Sequence, residues 1–295
     1  MLATVGEHVP TGAEWVHEVK WDGVRVLASY DDGRVRFTNR SGRDLAGRWP
    51  QPDGGPVSGG GRACRDLVVD GEIIALNERG LPDFRVLTPD ASVTYMVFDL
   101  LRLDGRDLSS LPLIERRARL EDLDLGGWQV PQQYDDGAML HEATRQQGLE
   151  GIVSKRVDST YRLGERSRAW LKFPHRFRGS YVVGGWRPQV GTASRLAAVL
   201  VGEMTPGGLR YRGRVGSGIG PRQTKALADL LGPLRRSSSP FADEVPRADA
   251  TGTVWVEPVV VVDVDTHGVG YERLRQPSYQ GVRGDLSVED LLDAR

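Results

Sequence analysis

From residue 14 almost to its end, the chain is a succession of short apolar runs separated by glycine, proline and Asp-Gly turns. Runs this short, rich in valine, isoleucine and aromatics, predict strands and sheets. WVHEVKW, VRVLASY and RVRFTN follow one another over residues 14–40, and the turn at Asp31-Asp32-Gly33 predicts a hairpin between the last two. Residues 47–64, with their Gly, Pro and Ser, read as loop. LVVDGEIIAL at 67–76 reads as a strand pair or one strand bent at Gly71, and VTYMVFDLLRL at 93–103 as a buried strand. Helical periodicity appears twice. Leu113, Leu120 and Leu123 form an apolar side whose companions Arg116 and Arg117 read as a solvated face, and AMLHEATRQQ at 138–147 is closed by Gly148. EGIVSKR and RAWLKFP return to strand, with Pro174 ending or bending the second.

The pattern changes at Gly179. SYVVGGW, LAAVLVGEM, GLRYRGRVG and VWVEPVVVVDVD are alternating, glycine-separated strands, with a helix predicted at 222–231. They suit a small β-barrel of roughly a hundred residues. Residues 235–249 read as a surface loop, and Ser287 followed by Glu289 and Asp290 starts a last short helix. A chain of 295 residues fits two domains, expected at 1–178 and 179–295.

One cysteine, Cys64, excludes a disulfide framework and a cysteine-rich zinc site. No apolar run approaches membrane-spanning length and no secretory signal opens the chain, so a cytoplasmic location is expected. The net charge of -1 gives no general affinity for nucleic acid, so such a role needs one locally basic face. Of the 39 basic residues only four are lysines: Lys20, Lys155, Lys172 and Lys225. In a chain that otherwise uses arginine, a retained lysine marks a place where a primary amine is needed, because an amine can lose its proton and act as a nucleophile.

Three of those lysines fall in segments with other chemically active residues. EVKWDGVR (18–25) carries Glu18, Lys20 and Asp22 at strand alternation, which predicts one shared face, with Arg25 returning close to the lysine. VVDGEI holds Asp70 and Glu72, FDLL holds Phe98 and Asp99, EGIVSKR holds Glu150 and Lys155, and WLKFPHR holds Lys172. Together they offer carboxylates for a divalent metal and amines for phosphates, spread over strands around one cleft. Lys225, in PRQTKALADLL, reads as an ordinary surface lysine.

In this order the five segments resemble the nucleotidyltransferase motifs of ATP-dependent DNA ligases, above all the compact bacterial enzymes and the ligase module of end-joining proteins. KWDGVR matches the Lys-x-Asp-Gly-x-Arg motif. The resemblance implies an α+β fold: an adenylation domain of antiparallel sheets with helices, then an OB-fold barrel. It implies that Lys20 attacks the α-phosphorus of ATP and forms a lysine–AMP adduct, from which AMP passes to the 5′-phosphate of a nick before the 3′-hydroxyl seals it. Glu18 stands where the family contacts the adenine amino group, and Phe98 where it stacks on the base. Arg25 and Arg40 match arginines that hold the nucleotide and the nick's 5′-phosphate region. Lys155 and Lys172 match lysines that neutralise the α-phosphate. Glu72 and Glu150 match carboxylates associated with ribose or with Mg²⁺ or Mn²⁺. In the barrel, VGYERLRQPSYQGVRGD resembles the terminal motif region; Arg275 is in register there, and Arg283 and Asp285 serve the first step. A basic groove drawn from Arg178, Arg187, Arg195, Arg210, Arg212 and Arg214 is expected to meet DNA phosphates.

Two positions depart from the family. Pro174 stands where a second lysine usually follows Lys172, with Arg176 near enough to supply charge, and Leu286 replaces a lysine after Asp285. Both bear on self-adenylylation, so a weak or inactive ligase-fold DNA-binding protein is the main alternative, and an RNA ligase or capping enzyme of the same superfamily the second. A NAD-dependent ligase is disfavoured by the single cysteine and the early position of the lysine motif. The expected partner is nicked or broken duplex DNA. The expected state is a cytoplasmic, nucleoid-associated monomer that leans on an end-binding protein or a separate repair polymerase.

Overall fold

The computed structural model describes residues 1–31, 33–52, 54–56, 64–189, 191–192, 195–268 and 271–293, and the chain divides into two compact units between His175 and Arg176. Asp32 of the expected turn and residues 57–63 of the expected loop lie outside the described residues.

The first unit runs β1 (Leu2–Val5), β2 (Trp15–Val19), β3 (Val24–Asp31), β4 (Arg34–Asn39), β5 (Asp66–Ala75), β6 (Val93–Leu103), β7 (Arg106–Asp107), α1 (Leu113–Glu121), α2 (Gly137–Gln146), β8 (Gly151–Arg156) and β9 (Arg166–Pro174). A five-stranded antiparallel sheet has the order β4-β3-β5-β6-β7, and a four-stranded sheet the order β1-β9-β8-β2, in which β1 lies parallel to β9. WVHEVKW and VRVLASY, consecutive in the chain, therefore belong to different sheets, and the hairpin is β3–β4. Gly23 is what permits this crossing. A Cβ there would lie 2.1 Å from the Ile73 carbonyl oxygen, so the backbone of the crossing chain packs directly on β5.

Strand alternation sorts β5 into two faces. Leu67, Val69 and Ile73 enter the main core with Tyr95 and Trp128, whereas Val68 faces the other way with Asp70 and Glu72. LVVDGEIIAL is one strand, with a register shift against β6 between Asp70 and Gly71. Between the sheets lies a smaller cluster of Met1, Leu101, Tyr161 and Trp170.

α1 packs on β6 with Arg116 and Arg117 inward, contrary to the expected solvated face. Arg116 is fully buried and grips Asp99 in a two-pronged pair, Nε to Oδ1 at 2.7 Å and Nη2 to Oδ2 at 2.8 Å. Its remaining donors reach the carbonyls of Leu111 and Ser159. Arg117 is buried as well, bonding Glu121 at 2.6 Å and the Pro131 carbonyl. The carboxylate and carbonyl partners make burial of the Arg116 charge tolerable, whereas Arg117 Nη1 is buried without a hydrogen-bond partner and has only Glu18 Oε1 nearby at 4.0 Å.

The second unit runs β10 (Phe177–Pro188), β11 (Leu196–Thr205), β12 (Gly208–Val215), α3 (Pro221–Leu231), α4 (Arg247–Ala250), β13 (Val254–Trp255), β14 (Val261–Thr266), β15 (Ser278–Val282) and α5 (Asp290–Asp293). The sheet order is β12-β11-β10-β14-β15, with β13 on β10. A bridge between Ser217 and Ser278, where the Tyr279 amide meets the Ser217 carbonyl at 2.8 Å, joins the two ends of that order into an OB-type barrel. α3 buries Leu227 and Leu231 in its core. Residues 235–249 differ from the expected surface loop: Phe241 and Val245 are buried against Leu200, Leu209 and Tyr211.

Candidate active site

A cavity of about 320 Å³ opens between the two sheets of the first unit. Its walls include Glu18, Lys20, Arg25, Arg40, Glu72, Phe98, Lys155 and Lys172. Residues from six strands and two connections thus meet in one place. Arg166 and Trp170 on β9 and Trp21 beside Lys20 also line it, and none of these was singled out from sequence.

Lys20 follows β2 directly. Its amide donates to the Gly151 carbonyl at 2.9 Å, and its ammonium lies 2.6 Å from Glu150 Oε2. Gly151 has φ +136, and a Cβ there would sit 2.2 Å from the Phe173 carbonyl oxygen, so the residue after Glu150 must be glycine for β8 to pair this closely with β9. The expected common face of Glu18, Lys20 and Asp22 is not formed. β2 ends at Val19, and Asp22 turns away to accept the Phe84 amide at 3.3 Å.

Arg25 is anchored on β3 by Asp70, Nε to Oδ1 at 3.0 Å and Nη2 to Oδ2 at 2.6 Å, and Tyr161 donates to the same carboxylate at 2.7 Å. Glu72 sits across from Arg25 in register. Burial pushes its carboxyl up to about 8, against the pull of Lys20 and Arg25. Lys172 on β9 has its pKa lowered by burial and then by the charges of Lys20 and Arg166. Arg40 is exposed at the end of β4 and reaches the cavity edge.

Lys155 is buried with its ammonium 2.6 Å from Glu18 Oε2 and 4.5 Å from the ring centres of both Phe98 and Trp170. Burial lowers its pKa, opposed by Glu18 and Asp99. Glu18 is buried too, and its other oxygen accepts from Gln133 Nε2 at 2.8 Å. Gln133 had no signal in the sequence, because its partner lies 115 residues away.

Pro174 ends β9 as expected. His175 follows Pro174 and turns into the first unit. Its ring is buried against Thr144 Oγ1 at 3.0 Å, and its amide donates to the Glu150 carbonyl at 2.9 Å. Among the described residues no three histidine, cysteine, aspartate or glutamate side chains converge as a metal cage.

In the second unit Arg283 grips Asp285 at 2.7 Å and approaches the largely buried Asp263 at 3.3 Å, and the Arg283 guanidinium holds the Asp285 carboxyl down at about 2. Arg275 donates to Tyr271 Oη at 2.6 Å. Of the six arginines expected to form a groove, Arg210, Arg212 and Arg214 lie on β12 but not on one face: a register shift against β11 puts Leu209 and Tyr211 in one apolar cluster and Val215 in another, and Arg214 shares Asp249 with Tyr211. Arg178 is paired with Asp265, Arg212 with Glu203 and Arg214 with Asp249, while Arg187 bonds the Ala248 carbonyl. Lys225 pairs with Asp229 one turn along the exposed face of α3.

A family model described as ATP dependent DNA ligase domain matches residues 1–173, and one described as ATP dependent DNA ligase C terminal region matches 192–286. The chain belongs to the ATP-dependent DNA ligase family. It is 38% identical to the multifunctional non-homologous end joining protein LigD of Mycolicibacterium smegmatis, over 99% of this chain and 39% of that protein. It therefore spans well under half of that relative. The crystal structure of the ligase domain from M. tuberculosis LigD is 36% identical with a TM-score of 0.54, covering 98% of this chain and 96% of that one. A mycobacterial DNA ligase D complexed with ATP and MES is 35% identical with a TM-score of 0.55, covering 98% and 96%. Among the described residues no helix is long and apolar enough to cross a membrane.

Proposed function

We propose that this chain seals nicks between a 3′-hydroxyl and a 5′-phosphate in duplex DNA, using ATP and a covalent lysine–AMP intermediate on Lys20. The observation that carries this reading is the Lys20 amine facing the cavity 2.6 Å from the Glu150 carboxylate, with Lys172 on the same wall. An amine must be neutral to attack phosphorus, and Glu150 is the acceptor within reach of its proton. Lys20 Nζ then bonds the α-phosphorus and pyrophosphate leaves, with Lys155, Lys172, Arg25 and Arg40 offsetting the charge on the phosphate oxygens.

The base site is framed by Glu18 and Phe98. Glu72 and Glu150 are the carboxylates that would hold a Mg²⁺ or Mn²⁺ ion, which when bound neutralises phosphate charge. Two carboxylates without a third ligand suit an ion that keeps waters and phosphate oxygens in its shell. The proton that Glu72 retains at neutral pH is the kind a cation displaces on binding.

Arg283 and Asp285 belong to the same first step. Their mutual pairing supports a role as a fixed unit and does not require the lysine that Leu286 replaces. The adenylation domain, expected at 1–178, corresponds to the first compact unit, and the OB domain, expected at 179–295, to the second. Arg210 and Arg212 of β12 are the favoured DNA-backbone contacts. The enzyme acts as a monomer in the cytoplasm at the nucleoid, on ends brought together by an end-binding protein or filled by a repair polymerase. The test is incubation with α-labelled ATP, Mg²⁺ and nicked duplex beside Lys20→Ala. Label on the wild type alone, chased into sealed DNA, is the expected result. Absence of label on both proteins, with sealing of pre-adenylylated nicks, would replace this reading with a degenerate ligase.

A further inference from the structure

We infer that Gln133 is a positioning residue for base recognition: through Glu18 it sets the preference of the nucleotide cavity for a purine carrying an amino group, not a carbonyl, at its 6-position. The inference rests on the proposed adenylylation at Lys20, and it concerns a residue that lies outside every motif.

Glu18 is the buried carboxylate in the cavity wall, and an ionised carboxylate only accepts hydrogen bonds. A ring presenting an amino group satisfies it, as adenine does at its 6-position. A ring presenting a carbonyl oxygen there, as guanine does, repels it. A site of this kind discriminates only if the carboxylate cannot rotate to relieve the mismatch. Two contacts hold it: Lys155 takes Oε2 at 2.6 Å and Gln133 Nε2 takes Oε1 at 2.8 Å. The Lys155 ammonium stands 4.5 Å from the ring centres of both Phe98 and Trp170, so its charge is committed to the same corner.

Gln133 is itself placed by the fold. Its neighbour Tyr134 exchanges both backbone hydrogen bonds with His17 at 2.9 Å, which brings the segment alongside β2 one residue before Glu18. Arg117 of α1 holds the same segment at the Pro131 carbonyl and stands 4.0 Å from Glu18 Oε1. The amide orientation is dictated, since its oxygen would face a carboxylate if flipped. Without Gln133 the carboxylate keeps its Lys155 contact but loses the bond that fixes its plane.

The test measures initial rates of label transfer from α-labelled ATP and GTP to the full chain, across pH, for the wild type, Gln133→Ala, Gln133→Glu and Glu18→Gln. For Gln133→Ala the expected result is a KM for ATP raised about tenfold with the saturating rate nearly kept, and an ATP-over-GTP ratio narrowed by a similar factor. In Gln133→Glu two carboxylates face each other and must share a proton, so ATP use should recover as pH is lowered, a profile that mere loss of packing does not produce. If Gln133→Ala keeps the wild-type KM and ratio, or loses only the saturating rate, the inference is overturned while the ligase reading stands. If Gln133→Glu shows no acid recovery, Gln133 does not act through Glu18. If the wild type takes no label, the adenylylation reading has failed and this inference falls with it. If Glu18→Gln leaves the ATP-over-GTP ratio intact, the carboxylate does not read the base and the inference is again overturned.

Discussion

Glu150 and its neighbour Gly151 hold Lys20 at two points. The lysine ammonium lies 2.6 Å from Glu150 Oε2, and the lysine amide is bonded at 2.9 Å to the carbonyl of Gly151, the next residue along. One turn at the start of β8 therefore fixes both the backbone and the amine of the proposed nucleophile. The ion pair stores the lysine in place and also presents the group that can take its proton.

Glu150→Gln keeps the shape of the side chain and removes the proton acceptor. Lysine–AMP formation should fall by roughly 10²–10⁴-fold, the usual contribution of a positioned general base. Lys20→Arg should abolish it, because a guanidinium stays protonated. Labelling with α-labelled ATP reads both. Near-wild-type labelling of Glu150→Gln would mean that another group receives the proton.

Glu72 gives a pH signature to the nucleotide-free protein. Its folded pKa, about 8, lies above the ordinary carboxylate value, so the folded state binds this proton more tightly than the unfolded state. Its contribution to stability is present at low pH and is lost as pH rises through 8. Thermal melts between pH 6 and 9 should show the wild type losing stability relative to Glu72→Gln, by at most a few kcal/mol because water reaches part of the site. Parallel curves for the two proteins would exclude this origin.

His175 should act in the opposite direction. Burial and then the adjacent His141 push its pKa down to about 4, so folding favours the neutral ring. That stabilisation is complete above the ordinary histidine pKa and is lost as pH falls from there toward 4. His175→Gln keeps a partner for Thr144 and removes the titration. On acidification from pH 7.5 to 5 it should lose about 1–2 kcal/mol less than the wild type, measured by denaturant midpoints. Equal losses would assign the acid sensitivity to other groups.

The Asp99–Arg116 pair tests the inward face of α1. Arg116→Met leaves Asp99 charged and unpaired in the core, a loss of about 3–5 kcal/mol. Adding Asp99→Asn should restore part of it by removing the stranded charge. A cost below about 1 kcal/mol for the single variant, typical of a surface position, would contradict the burial of this helix face.

The fold and much of the cavity wall were legible before any coordinates. Strand lengths, the glycine turns and the two helical stretches depend on neighbours a few residues apart, and periodicity reports those directly. The scarcity of lysine pointed to Lys20, Lys155 and Lys172, and all three line one cavity. Tertiary structure decided what depends on distant partners. It sent the strands before and after Asp22-Gly23 into different sheets, and it added β1, which no alternation pattern predicted. It turned Arg116 and Arg117 from an expected wet face into buried anchors, because Asp99 and the Pro131 carbonyl were waiting across the helix. It brought Gln133 to Glu18 and set Lys155 against both Phe98 and Trp170. A charged or amide side chain carries no local sign of whether water or a partner will satisfy it, so the chain alone could name the chemical groups of this site but not their pairing.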